Sequence, residues 1–263
     1  MHGGVVCLVR HTLCAGTSTD VPHQRNEPRP GMAYADERGG AGAHAQGRAR
    51  RRLFLMSSLV GMTPAIRRLI PDLGCRRMAF IPTASYAADY GAANRLMHWW
   101  WRALGVDVHV VDLTDARRWR IHDELRRADV FYVCGGNTFY LMYCLQTSGA
   151  AGIIRERVAQ GVPYLGESAG AVAAAPSIDY IAPMDERPAM VGKSAAPVPG
   201  LALSAYRVVP HVHGLALGRA AAHIVRAHAA DSRFVPLRND QALVVAGTQA
   251  RVFTTRAVLP LAM

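Results

Sequence analysis

The sequence predicts an α/β protein, a three-layer sandwich in which helices cover both faces of a mostly parallel central sheet. Two observations predict it. Short apolar runs of strand length alternate with amphipathic stretches of helical length from about residue 52 onward, and that alternation is the signature of βαβ units. Three of the apolar runs also end in small or polar residues suited to a ligand-binding sheet edge: Pro82-Thr83-Ala84-Ser85, Gly135-Gly136-Asn137-Thr138 and Gly166-Glu167-Ser168-Ala169-Gly170.

In chain order, "RLFLMSS" (52–58), "MAFIPTA" (78–84), "VDVHVVDL" (106–113), "DVFYVCGG" (129–136) and "VPYLGES" (162–168) read as buried strands. Between them "TPAIRRLIPDL", "YGAANRLMHWWWRAL", "ARRWRIHDELRRA" and "GIIRERVAQ" read as helices. The triple Trp99-Trp100-Trp101 is expected to pack against the sheet. "RFVPLRNDQALVVAGTQARVF" reads as a hairpin around Gly247 that completes the sheet and leaves an edge able to support a homodimer.

Residues 1–50, rich in Gly, His, Pro and Arg, show neither period and read as a disordered basic extension, leaving 51–263 as a single domain. No apolar stretch is long enough to span a bilayer, and no secretory leader is recognisable, so a soluble, cytoplasmic protein is expected. Five cysteines without CxxC spacing suit a reducing compartment, with Cys134 and Cys144 as small core residues. The net charge is +11. The basic residues are nearly all Arg spread along the chain, with one local run at 48–52 and no interleaved aromatics, which argues against a nucleic-acid reader.

The segment "GESAG" matches G-x-S-x-G, the sharp strand-to-helix turn that lifts a serine above a parallel sheet. A side chain at Gly166 or Gly170 would collide with the neighbouring strand or helix, and Ala169, Ala171, Ala173 and Ala174 suit a helix starting hard against the sheet. The first amides of that helix would face an anion forming beside Ser168. A serine nucleophile needs a base and an orienting acid. "VVPHVHG" supplies His211 and His213, and "PMDERP" supplies Asp185 and Glu186.

Together "FIPTAS", "VFYVCGGNTFYLM", "YLGESAGAVAAAPSIDYIAPMD" and "GLALSAYRVVPHVHG" resemble the serine peptidase family that contains dipeptidase E and cyanophycinase, over roughly residues 52–256. That resemblance implies a class I glutamine amidotransferase-like, flavodoxin-like fold. It implies Ser168 as nucleophile, His211 as general base, Asp185 or its neighbour Glu186 as the orienting acid, and an oxyanion hole from the amides of Gly136 and Ala169. The implied substrates are small peptides with N-terminal aspartate or, in the cyanophycinase branch, a β-aspartyl-arginine polymer; no cofactor is implied.

Asn137, Glu167, Glu186 and His213 are candidate substrate-binding residues, His213 as a polar residue at the site mouth. Strand alternation turns Glu167 away from Ser168, so it reads as a solvated or salt-bridged residue, with contact to a substrate ammonium as the alternative. Arg187 and Arg207 flank the catalytic segments without a spacing that marks them as ligands.

Rival chemistries fit less well. Glutamine hydrolysis needs a low-pKa cysteine where Ser168 stands. An ordinary α/β-hydrolase places its acid and histidine further along the chain. A metal site built on His211, His213, His223 and His228 lacks a third ligand at metal-binding spacing. A non-catalytic binding protein of the same fold is the alternative from a different class.

Overall fold

The structure is a computed structural model that describes residues 51–87, 91–192 and 197–255. The disorder expected of residues 1–50 falls outside the described residues.

A seven-stranded sheet organises the domain. Five strands run parallel: β1 (Arg52–Met56), β2 (Arg77–Ile81), β3 (Asp107–Val110), β4 (Val130–Val133) and β5 (Tyr164–Glu167). Two further strands, β8 (Gln241–Ala246) and β9 (Gln249–Thr254), form the hairpin, with Gly247 at φ +62° in its turn, and pair antiparallel beside β1. The order is β3-β2-β4-β5-β1-β8-β9. It reverses direction at β2, and ligand sites of doubly wound sheets form beyond the strand ends near such a reversal.

Strands β1, β2, β4 and β5 are apolar on both faces because helices cover both, whereas β3, expected to be a buried strand, lies at the sheet edge with Asp107 and Val110 exposed. Phe54, Met56, Met78, Phe80, Val130, Tyr132 and Leu165 point to one side, where α1 (Thr63–Leu69) and α2 (Gly91–Ala103) pack on them. Leu53, Leu55, Ala79, Ile81, Phe131, Val133 and Tyr164 point to the other, beneath α3 (Arg118–Arg127), α4 (Thr138–Thr147), α5 (Ala150–Ala159) and α6 (Ala169–Ala173). The alternation of period two along each strand thus divides the apolar core into two layers.

The tryptophan triple does not pack as one unit. Trp101 is fully buried with its ring edge-on to Tyr132, whereas Trp99 and Trp100 are 62% and 40% exposed. Consecutive helical residues are turned about 100° from one another, so three in a row cannot all face the sheet. One helix carries no clear stripe in the sequence: α4 is apolar nearly all round, which hides the 3.6-residue period. The helix α7 (Gly218–Ala227) is amphipathic and buries Ala221 and Ile224. Helix α7 covers a small second sheet, two parallel strands β6 (Arg207–Val209) and β7 (Phe234–Pro236), which delivers Pro210 and His211 to the same end of the domain as the β5 tip. Among the described residues no helix is long and apolar enough to cross a membrane.

Candidate active site

Strand β5 ends at Glu167, and the chain turns through Ser168 directly into α6. Ser168 sits at φ +48°, ψ −108°, a strained backbone for a residue with a side chain. Three features hold it there. The Ser168 amide donates to Met56 O at 2.9 Å, its carbonyl accepts from Ala171 and Val172, and the buried Tyr164 hydroxyl donates to Gly170 O at 2.7 Å. Glycine is required on both sides: a Cβ on Gly166 would lie 2.5 Å from Gly170 O, and one on Gly170 would lie 2.2 Å from Val133 O. The collisions expected at these two glycines are therefore backbone collisions, which no rotamer change relieves.

The β4 tip packs against the elbow and extends the same wall. Gly135 lies against the nucleophile, where its own Cβ would sit 3.2 Å from Ser168 Cβ. Gly136 adopts φ +141°, and a Cβ there would lie 2.2 Å from Ala84 O. Asn137 caps α4, accepting from the Tyr140 amide at 2.9 Å, while its Nδ2 donates to Glu186 O at 2.7 Å. Both ends of this amide are thus engaged with the protein, although the residue lines the cavity.

His211 enters from the end of β6 at φ +62°, and its Nε2 lies 2.8 Å from Ser168 Oγ. Its other ring nitrogen, Nδ1, lies 2.8 Å from Asn239 Oδ1. The His211 amide donates to Ser57 Oγ at 2.8 Å, and the Ser57 hydroxyl donates to the same Asn239 oxygen at 3.2 Å. Register explains why Ser57 is available: β1 and β5 pair up to Met56 and Glu167, so Ser57 and Ser168 leave neighbouring strand ends.

Asp185 takes a different place from the one the sequence assigns it. Its Oδ2 accepts the Thr138 amide at 2.7 Å, at the start of α4, and it makes no hydrogen bond to His211. Burial pushes the Asp185 carboxyl up, opposed by the Thr138 hydrogen bonds and by attraction to His211. Glu186 is exposed and lines the cavity. His213 is exposed at φ +63° and does not line the cavity. The turn that presents His211 points its neighbour two residues on outward.

Glu167 is half-buried at the cavity and has no ion-pair partner among the described residues. It faces the side opposite Ser168, where Oε2 accepts the Tyr132 hydroxyl at 2.5 Å and Oε1 accepts the Leu59 amide at 2.8 Å. Burial and the Glu167 charge together push the Tyr132 hydroxyl and the Cys134 thiol well above their ordinary values. Cys134 and Cys144 are both buried. Arg187 is paired with Asp179 at 2.7 Å and stacks over Phe139, and Arg207 stacks over Phe234; neither lines the cavity. No group of three metal-ligating side chains is found among the described residues.

These residues open on a cavity of about 530 Å³, a size that admits a small peptide. Sequence reasoning missed Ser57 and Asn239. The signal for Ser57 was available, since it is a polar residue at the tip of a parallel strand. Asn239 lies in an ordinary polar turn, "LRNDQ", with nothing local to mark it.

A serine held on a strained elbow, in hydrogen-bond contact with a histidine at the carboxyl edge of a parallel sheet, defines a serine hydrolase of the α/β class. Residues 53–253 match the model of Peptidase family S51, and the chain belongs to that family. It is a serine peptidase. An uncharacterized peptidase of Listeria monocytogenes is 32% identical over 200 residues, covering 75% of this chain and 95% of its own. Peptidase E of Shewanella putrefaciens is 34% identical over 131 residues, 48% of this chain and 54% of its own. A crystal structure of a protein assigned to Peptidase E from Listeria monocytogenes superposes with a TM-score of 0.71 at 29% identity, covering 78% of this chain and 98% of that one.

Proposed function

We propose that this serine peptidase hydrolyses short peptides, with free dipeptides as its natural size class, through an acyl-enzyme on Ser168. The observation that carries the reading is the 2.8 Å contact between Ser168 Oγ and His211 Nε2 on the elbow. His211 takes the serine proton as Oγ attacks the peptide carbonyl. The amides of Gly136 and Ala169 receive the developing oxyanion; Ala169, as the first residue of α6, has no partner for its amide within that helix. His211 then protonates the leaving amine, and a water molecule deprotonated by the same ring releases the acid.

The acidic side chains among the described lining residues are Glu167, Asp185 and Glu186, with no Arg or Lys. Such a wall favours the free ammonium of a peptide N-terminus. The family resemblance puts N-terminal aspartate first among substrates, yet an aspartyl side chain finds no counter-ion among those residues. Hydrolysis of a chromogenic aspartyl amide is therefore to be compared with dipeptides bearing aspartyl, neutral and basic N-terminal residues, with Ser168→Ala in parallel. Cleavage lost in the variant supports the serine mechanism, and turnover retained by pure, folded Ser168→Ala refutes it. The rank order within the panel decides whether aspartate is preferred.

A further inference from the structure

We propose that Asn239, braced by Ser57, is the positioning residue for His211, in the place the sequence assigns to Asp185; the inference rests on the Ser168–His211 reading above.

The geometry carries it. At φ +62° the His211 backbone is in a region that costs a non-glycine residue free energy, so the ring needs an external hold. It has two. The Ser57 hydroxyl receives the His211 backbone amide, and the Asn239 oxygen receives Nδ1. Ser57 ties the two together by donating to that same oxygen. Because a carboxamide oxygen only accepts, this contact keeps the ring proton on Nδ1 and leaves the Nε2 lone pair facing the Ser168 hydroxyl.

The turn that bears Asn239 is fixed to the elements it serves. Leu237 donates its amide to Val209 O at 2.9 Å and accepts from the Val212 amide at 3.0 Å, so it brackets His211 on both sides. The Gln241 carbonyl accepts the Ser57 amide at 3.1 Å, and Asp240 O accepts the Thr255 amide at 3.0 Å. An Arg238–Asp240 ion pair closes the turn. Asp185, by contrast, has its carboxylate on the Thr138 amide, where it clasps the 185–186 loop to the start of α4.

An amide partner fixes the tautomer and the ring angle without adding the negative charge that an acid would. That difference is measurable even before a substrate is known. The test is the rate at which a fluorophosphonate labels Ser168 in the full chain, followed as a function of pH, with melting temperatures recorded for every variant. Asn239→Ala is expected to label about 10²-fold more slowly, the scale of a misplaced catalytic group. Asn239→Asp keeps an acceptor oxygen and is expected to recover most of that rate. It should also move the acid limb of the profile upward by about one pH unit, because a carboxylate favours the charged imidazolium.

The other charged groups near the site are Asp185 from the loop clasped to the start of α4, Glu167 and Glu186 on the cavity wall, and the Arg238–Asp240 pair beside Asn239. All stay in place in these variants. The loss in Asp185→Asn, which still offers an oxygen to the Thr138 amide, is expected to be about tenfold smaller than that in Asn239→Ala. If Asn239→Ala fails to fold, Ser57→Ala carries the test, with an expected loss of about tenfold, since one of the two holds remains.

Parent-like labelling by Asn239→Ala, no recovery in Asn239→Asp, or a loss in Asp185→Asn as large as that in Asn239→Ala would each overturn the assignment while leaving Ser168 as nucleophile. A parent protein that labels no faster than Ser168→Ala overturns the serine reading itself and this inference with it.

Discussion

The two walls of the cavity are held in place by different physics. On the elbow wall, backbone meets backbone: Gly166, Gly170 and Gly136 each leave no space for a Cβ, and the closest approaches run from 2.2 to 2.5 Å. On the histidine wall, side chains bridge segments 154 and 182 residues apart in sequence, Ser57 to His211 and Ser57 to Asn239. The first wall is specified by backbone sterics, local for Gly166 against Gly170 and between neighbouring strand ends for Gly170 against Val133 and Gly136 against Ala84. The second exists only once the whole domain has closed. Substitutions on the elbow wall should therefore act through folding, and substitutions on the histidine wall through activity in a folded protein.

The largest effect tests the histidine wall. His211→Ala should lower kcat by about 10⁴-fold or more with an unchanged melting curve, because the base is lost and the fold keeps its other contacts. His213→Ala, exposed and outside the cavity, should stay within about threefold. The reverse ranking would reassign the base and with it the whole wall.

Next comes the elbow. Gly170→Ala forces a methyl against the Val133 carbonyl, with backbone on both sides and no rotamer to give way. A loss of about 3 kcal/mol in chemical denaturation is expected, the scale of overpacking in a rigid core. Gly136→Ala adds an unfavourable φ to a similar clash and should lose at least as much. Should either variant melt like the parent while losing activity, the division between the two walls would fail.

A smaller effect lies beneath the nucleophile. Tyr132→Phe removes one of the two donors that satisfy Glu167 and leaves its carboxylate short of a partner. About 2 kcal/mol of stability should be lost, and the 58–60 loop, tied to the same carboxylate through Leu59, should become more open to hydrogen exchange. A stability equal to the parent would show that water replaces the phenol without cost.

What was legible in the sequence follows the same division. Four of the five parallel strands could be read because burial on both faces leaves continuous apolar runs, and the elbow because its glycines and serine lie within five residues. His211 was visible as a polar residue after a short strand. Asn239 was not, since an Asn in a polar turn has the same local pattern whether it faces a histidine or solvent. The family resemblance puts Asp185 or Glu186 on the histidine, but the Asp185 carboxylate accepts the Thr138 amide at the start of α4 instead, and α4 has no amphipathic period to reveal where its first amide lies.

The smallest effect separates Asp185 from the histidine wall by pH. Burial raises its folded pKa above the ordinary 3.8, so the native state holds that proton more tightly than the unfolded chain does. By linkage, stability then falls as pH rises from about 3.8 through the raised value, because above it the fold must keep a largely buried carboxylate charged. Asp185→Asn keeps the oxygen for Thr138 and removes that charge. The two proteins should be equally stable below pH 3.8, and the variant should become the more stable as pH rises toward neutrality. Denaturant titrations at a series of pH values check the sign. A gap that is widest in acid, or a variant that is the less stable at neutral pH, would mean that the Asp185 carboxylate is stabilised by His211 more than it is penalised by burial, and would return it to the histidine wall.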